Sequence, residues 1–112
     1  MNIQDYLQSF TESLQIQRYS PSSIKNYRSN LFLFLNVTSQ EFDSIEKIEI
    51  TSIEKYIFLK IKKDNISASH QRIILVSIAK FYELVLERKI NLKHLYPPRK
   101  EYKLPNYLRS EE

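Results

Sequence analysis

Two short clusters in this 112-residue chain carry side chains that could act on a polyanion. In the first, Ser20-Pro21-Ser22-Ser23 is followed by Lys25, Asn26 and Arg28. In the second, Ser67 is followed by Ser69, His70, Gln71 and Arg72. Serine, asparagine, glutamine and the cations are the side chains that reach phosphate oxygens and base edges. Both clusters also read as the opening turns of helices, where unpaired N–H groups and the positive end of the helix dipole suit phosphate. Plain capping by ordinary surface residues explains the same residue types, so both readings stand at this point. A third group of cations, Arg99, Lys100 and Lys103, falls in the tail.

Other chemistry has little to stand on. Cysteine and glycine are both absent. The first absence excludes a disulfide framework, a cysteine nucleophile and cysteine metal ligands. The second excludes a glycine-rich phosphate loop or dinucleotide fingerprint, and removes the Asn-Gly turns of a β protein. The two histidines, His70 and His94, lie far apart with no ligand spacing around them. No metal and no cofactor are therefore expected. Carboxylates for acid–base work would have to come from residues 41–49, which read as a solvated loop. Eight tyrosines invite a phenol nucleophile. Tyr27, Tyr56 and Tyr82 fall on apolar stripes, however, and no Arg/His cluster accompanies any of the eight.

The elements that must position the two clusters follow from apolar spacing. Residues 2–18 read as a first helix with Ile3, Leu7, Phe10 and Leu14 on one face and Asp5 near its start. The second helix, residues 20–35, has the clearest start. Ser20 suits the cap and Pro21 the first helical position. Ile24, Tyr27, Leu31 and Phe34 face inward, leaving Lys25, Asn26, Arg28, Ser29 and Asn30 directed elsewhere. This helix is expected to fade after Leu35, before an acidic connection containing a short turn at residues 42–45. Thr51-Ser52-Ile53-Glu54 has the capping-box pattern. It predicts a third helix to about Lys63, with Ile53, Tyr56 and Ile57 inward. Asp64-Asn65 is a turn, and Ser67 caps a fourth helix from Ala68 to about Lys89. Ile74, Leu75, Ile78, Phe81, Tyr82 and Val85 form its broad apolar face. The expectation is an all-α four-helix bundle over residues 1–90. An extended basic linker, residues 91–112, follows, because Pro97-Pro98 cannot continue a helix.

Charge is distributed unevenly. The chain is +4 overall, but residues 1–50 carry four Lys/Arg against six Asp/Glu, and residues 51–112 carry thirteen against seven. A basic half suits a polyanion partner, and scattered solubilising lysines explain it as well. No apolar run approaches a membrane span, and the first residues do not read as a signal peptide. Cytoplasmic placement is the expectation.

The spaced residues resemble the N-terminal core-binding domain of tyrosine recombinases, the phage-integrase family, a SAM-like helical unit. The likeness is carried by Ser20, Ser23, Tyr27, Leu31 and Phe34-Leu35 in the second helix, and by Ile50-Thr51, Glu54 and Tyr56 in the third. Ser67, Ile74, Leu75, Ile78 and Phe81-Tyr82 carry it in the fourth, and Pro97-Pro98-Arg99-Lys100, Leu104-Pro105, Leu108 and Glu111-Glu112 in the tail. Ser23 and His70 stand where the family often has Thr, Asn91-Leu92 replaces a frequent Asn-Pro, and Arg109 replaces Ser or Thr. The common Gly after the fourth helix is missing. The resemblance implies double-stranded DNA as partner, with the second and fourth helices facing the major groove. It also implies other recombinase protomers as partners of the DNA-bound parent protein, with the isolated domain monomeric. The family's catalytic residues lie in a C-terminal domain, so no catalytic activity is expected of this chain, which reads as the DNA-clamping part of a recombinase. The expected DNA contacts are Ser22, Lys25, Asn26 and Arg28, then Ser69, His70 and Arg72, then Arg99, Lys100 and Lys103 along the linker. The rival reading is a stand-alone helical interaction or regulatory module with a partner patch at Phe32, Leu33 or Val76.

Overall fold

A computed structural model describes residues 2–41 and 45–97. Four α-helices, α1 (Ile3–Ile16), α2 (Pro21–Glu41), α3 (Ile50–Leu59) and α4 (Ala68–Leu84), form a bundle with no strand among these residues. A π-helical turn (Lys60–Asp64) extends α3, and a 3-10 turn (Lys93–Leu95) follows α4. The linker cations Arg99, Lys100 and Lys103, and most of the expected turn at residues 42–45, lie outside the described residues.

The core is built from the expected stripes. Leu7, Phe10 and Leu14 of α1 meet Leu31, Phe34 and Leu35 of α2, Ile53 and Ile57 of α3, and Ile74, Leu75 and Ile78 of α4. Phe81 sits at the centre. Its ring makes edge-to-face contacts with Tyr6 at 5.4 Å, Phe10 at 6.2 Å and Tyr82 at 5.1 Å, the arrangement that ring quadrupoles favour. α2 is the middle helix, packed on both α1 and α4, which touch each other less.

The helix starts follow the capping rules, with one exception. Ser20 Oγ accepts from the Ser23 N–H at 3.2 Å, and Ser67 Oγ from the His70 N–H at 3.1 Å. The expected capping box at Thr51 and Glu54 does not form. α3 begins at Ile50 after Glu49, which makes no side-chain cap bond. Ile50 packs against the core, which draws the start two residues earlier, and the Glu54 carboxylate is held by His94 Nε2 at 2.8 Å. A capping box forms instead at Asn2 and Asp5, closing the first turn of α1 from both directions.

Two helix ends also depart from expectation. α2 continues to Glu41, beyond Leu35, because Val37 packs on the core and Thr38 is fully buried. Burial there overrides the weak helix propensity of Asn36, Thr38 and Ser39. α4 stops at Leu84 rather than near Lys89, and Glu87 takes a left-handed backbone with φ 53°. This lets Arg88 turn back over the Tyr82 ring, where its guanidinium donates to the Glu46 carbonyl at 3.1 Å.

A chain without glycine must place other residues wherever the backbone turns left-handed. Arg18 (φ 68°), Asn65 (φ 53°) and Glu87 do so here. At Arg18 the α1 end is a Schellman turn, with the Tyr19 N–H on the Leu14 carbonyl at 3.2 Å and the Arg18 N–H on the Gln15 carbonyl at 3.0 Å. Asparagine tolerates this region, whereas a side chain such as arginine costs about 1–2 kcal/mol there.

Residues 91–97 begin against the bundle. Leu92 is 3% exposed and belongs to the core. Gln71 Nε2 donates to the Leu95 carbonyl at 2.8 Å and Arg72 Nη2 to the Pro97 carbonyl at 3.1 Å.

Candidate nucleic-acid interface

The outward face of α2 carries Ser22, Lys25 and Asn26, all exposed, with Arg28 at the α1 edge and Asn30 at the α4 edge. The 3.6-residue repeat produces this order, since Lys25 and Arg28 are one turn apart and Asn26 and Asn30 another. The α4 edge is closed by a hydrogen-bonded chain. Asn30 Nδ2 donates to the Asn26 carbonyl at 2.9 Å, and Asn30 Oδ1 lies 3.0 Å from His70 Nε2. With its amide nitrogen committed to a carbonyl, Asn30 presents an acceptor, so His70 Nε2 carries the hydrogen and Nδ1 remains for another partner. Asn30 is 8% exposed, a correction to the expectation that it points away from the core. Ser69 is exposed beside His70.

At the α1 edge a groove of about 630 Å³ separates the end of α1 from the start of α2. Gln15, Arg18, Lys25 and Arg28 wall it, and Tyr19 and Ile24 contribute apolar surface. An adjoining groove of about 370 Å³ runs back along α1 past Gln4, Gln8, Thr11 and Glu12. Among the described residues the ion pairs are Lys60 with Asp64 at 2.9 Å and His94 with Glu54 at 2.8 Å. Arg18, Lys25 and Arg28 take part in neither.

The expected contacts are thus not equivalent. Ser22, Lys25, Asn26 and Arg28 are exposed on α2, and His70, with Ser69 next to it in the chain, is tied to that helix through Asn30. Arg72 is half-buried and uses one N–H on the Pro97 carbonyl, so it also fastens the segment leading out of the domain. More than two turns further along α4, Lys80 Nζ lies 4.9 Å from the Tyr19 ring centre, and Tyr19 meets Tyr27 edge to face at 5.9 Å. Burial pushes the Tyr96 hydroxyl pKa up; the Lys80 charge opposes this and Tyr27 adds to it.

Residue-level reading of the clusters passed over Arg18, Asn30 and the polar stripe of α1. The stripe was legible, since Gln4, Gln8 and Gln15 recur at helical spacing on the side away from Leu7, Phe10 and Leu14. Among the described residues no group of three His, Cys, Asp or Glu could hold a metal ion. No helix there is long and apolar enough to cross a membrane.

Against known families, residues 6–92 match the phage integrase, N-terminal SAM-like domain. The chain belongs to this family. The match runs from Tyr6 in the first turns of α1 to the buried Leu92, so it covers the bundle except for the first three residues of α1. The chain is therefore a recombinase-associated domain, of the kind phage integrases carry at their N-termini. Searches of curated proteins and of solved structures find no match.

Proposed function

We propose that this domain binds duplex DNA for a site-specific tyrosine recombinase, with the α2 face against the DNA and α4 alongside. The observation that carries the reading is that Lys25 and Arg28 project from one helix face with no acidic partner among the described residues, flanked by Asn26 and His70. Cations left unpaired in this way suit a line of phosphates, and amide and imidazole groups beside them suit base edges. Residues 1–90 form the binding unit, and residues 91–112, with Arg99, Lys100 and Lys103, lead along the DNA backbone toward a separate catalytic domain that performs strand exchange. The work is done in the cytoplasm and alongside other recombinase protomers bound to the same DNA. The isolated domain is a weak monomeric binder, because a clamp closed from one side lacks the avidity of two linked halves.

A duplex titration of wild type and Lys25→Ala at about 50 and 200 mM salt tests this. The expected result is weaker binding by the variant, with the salt slope lower by about 0.9, the share of one phosphate contact. An unchanged slope removes Lys25 from the interface.

A second reading has its own observation. Phe58 is 58% exposed, and Leu33, Leu59 and Ile61 are exposed as well. Exposed apolar side chains of this kind suit a protein partner. In that case added DNA leaves the Ser20–Arg28 amide resonances unmoved and a partner protein shifts those of Phe58 and Leu59.

A further inference from the structure

We infer that the groove between α1 and α2 seats a DNA backbone phosphate, with Arg18 as its anchor, so that α1 extends the footprint beyond α2 and α4. The inference rests on the duplex-binding reading and adds a contact that reading does not contain. Arg18, Lys25 and Arg28 converge on a single groove of about 630 Å³ whose lining includes no carboxylate. Three like charges around one cavity repel one another, and an anion between them removes that repulsion. The guanidinium groups of Arg18 and Arg28 can each offer two parallel N–H donors to phosphate oxygens. Gln15, on the same wall, offers a neutral amide.

The Arg18 side chain has no visible role in the fold. It is exposed, it makes no ion pair among the described residues, and its left-handed backbone would suit glycine or asparagine better. The side chain is also aimed by that backbone. Because the Schellman turn fixes residue 18 at the point where α1 reverses into α2, its Cα–Cβ direction is set by the fold. Glu12 limits the site on the other side. It lines the adjoining groove with Arg28, where its carboxylate accepts from Gln8 Nε2 at 3.2 Å. A phosphate is therefore placed at the Arg18 and Lys25 end, and Glu12 is the residue that weakens it.

The test is a duplex titration across salt concentrations with thermal unfolding in parallel, using a duplex of arbitrary sequence. The variants are Arg18→Asn, which keeps the left-handed turn, Arg18→Lys and Glu12→Gln. Arg18→Asn is expected to bind roughly five- to tenfold more weakly near 0.1 M salt, with the slope lower by about 0.9 and the melting temperature held or raised. Arg18→Lys should keep the slope, and Glu12→Gln should bind more tightly. Wild-type affinity and slope in Arg18→Asn, while Lys25→Ala loses both, would overturn the groove assignment and leave the duplex-binding reading intact. Absence of salt-dependent binding by the wild type overturns both.

Discussion

The two ends of α1 make opposite use of their polar side chains. At its first turns, Tyr6 donates to the Glu46 carboxylate at 2.9 Å. Tyr82 of α4 donates to the Ile45 carbonyl at 2.6 Å, and Arg88 donates to the Glu46 carbonyl. Here the acidic connection is stitched to the bundle, and its tyrosines and arginine are each matched by a protein acceptor. At the last turn, about 18 Å away along the helix axis, Arg18, Lys25 and Arg28 share a groove, and among the described residues no carboxylate forms an ion pair with them. Saturated polar groups hold the fold together. Cations without partners are what the fold presents outward.

Disrupting the saturated end should unfold the protein, and the largest effect is expected in the core beneath it. Phe81→Ala removes a fully buried ring with three aromatic neighbours. It should cost roughly 3–5 kcal/mol in chemical denaturation. A loss below 1 kcal/mol would mean that Phe81 is not the centre of the bundle.

Alkaline pH sharpens the comparison next. Burial, then the hydrogen bond to Glu46 and its charge, pushes the Tyr6 hydroxyl up to about 12. Burial and the Asp64 charge push Tyr56 to about 12 as well. Burial raises Tyr82 against the opposing charge of Arg88. These phenols hold their protons in the folded state at pH values where the unfolded chain, titrating near 10, has lost them. For Tyr6 and Tyr56 the stabilisation is complete below pH 10 and drains away between about pH 10 and 12, at no more than about 1.4 kcal/mol per pH unit for each. A stability curve flat to pH 12 would contradict their burial.

Smaller again is Tyr82→Phe, which leaves the ring and takes away the donor to Ile45. The expected loss is about 1 kcal/mol in thermal unfolding, with no change in DNA affinity. A change in affinity would mean that the two ends are not independent.

The fold was largely legible in the sequence, and its boundaries were less so. Stripes such as Leu7, Phe10 and Leu14 or Ile74, Leu75 and Ile78 reveal their helices because spacing and burial agree. Thr38 and Glu54 misled for a shared reason. Thr38 is a poor helix former held in α2 by burial, and Glu54 fits a capping pattern but pairs with a histidine 40 residues away. Neither tertiary contact leaves a local trace. The same holds on the outward face of α2. Ser22, Lys25, Asn26 and Arg28 stood out because they are adjacent on one helix. Asn30's tie to His70 depends on how α2 crosses α4, and Arg18's place in the groove depends on the α1–α2 reversal.

Amide chemical shifts recorded as duplex DNA is added to the labelled domain test the central claim most directly. Shifts at Gln15, Arg18, Lys25, Asn26, Arg28, Ser69 and His70, with Glu46, Phe58 and Arg88 unmoved, are the predicted result. Shifts centred on Leu33, Phe58 and Leu59, or no shifts at all, would contradict the account.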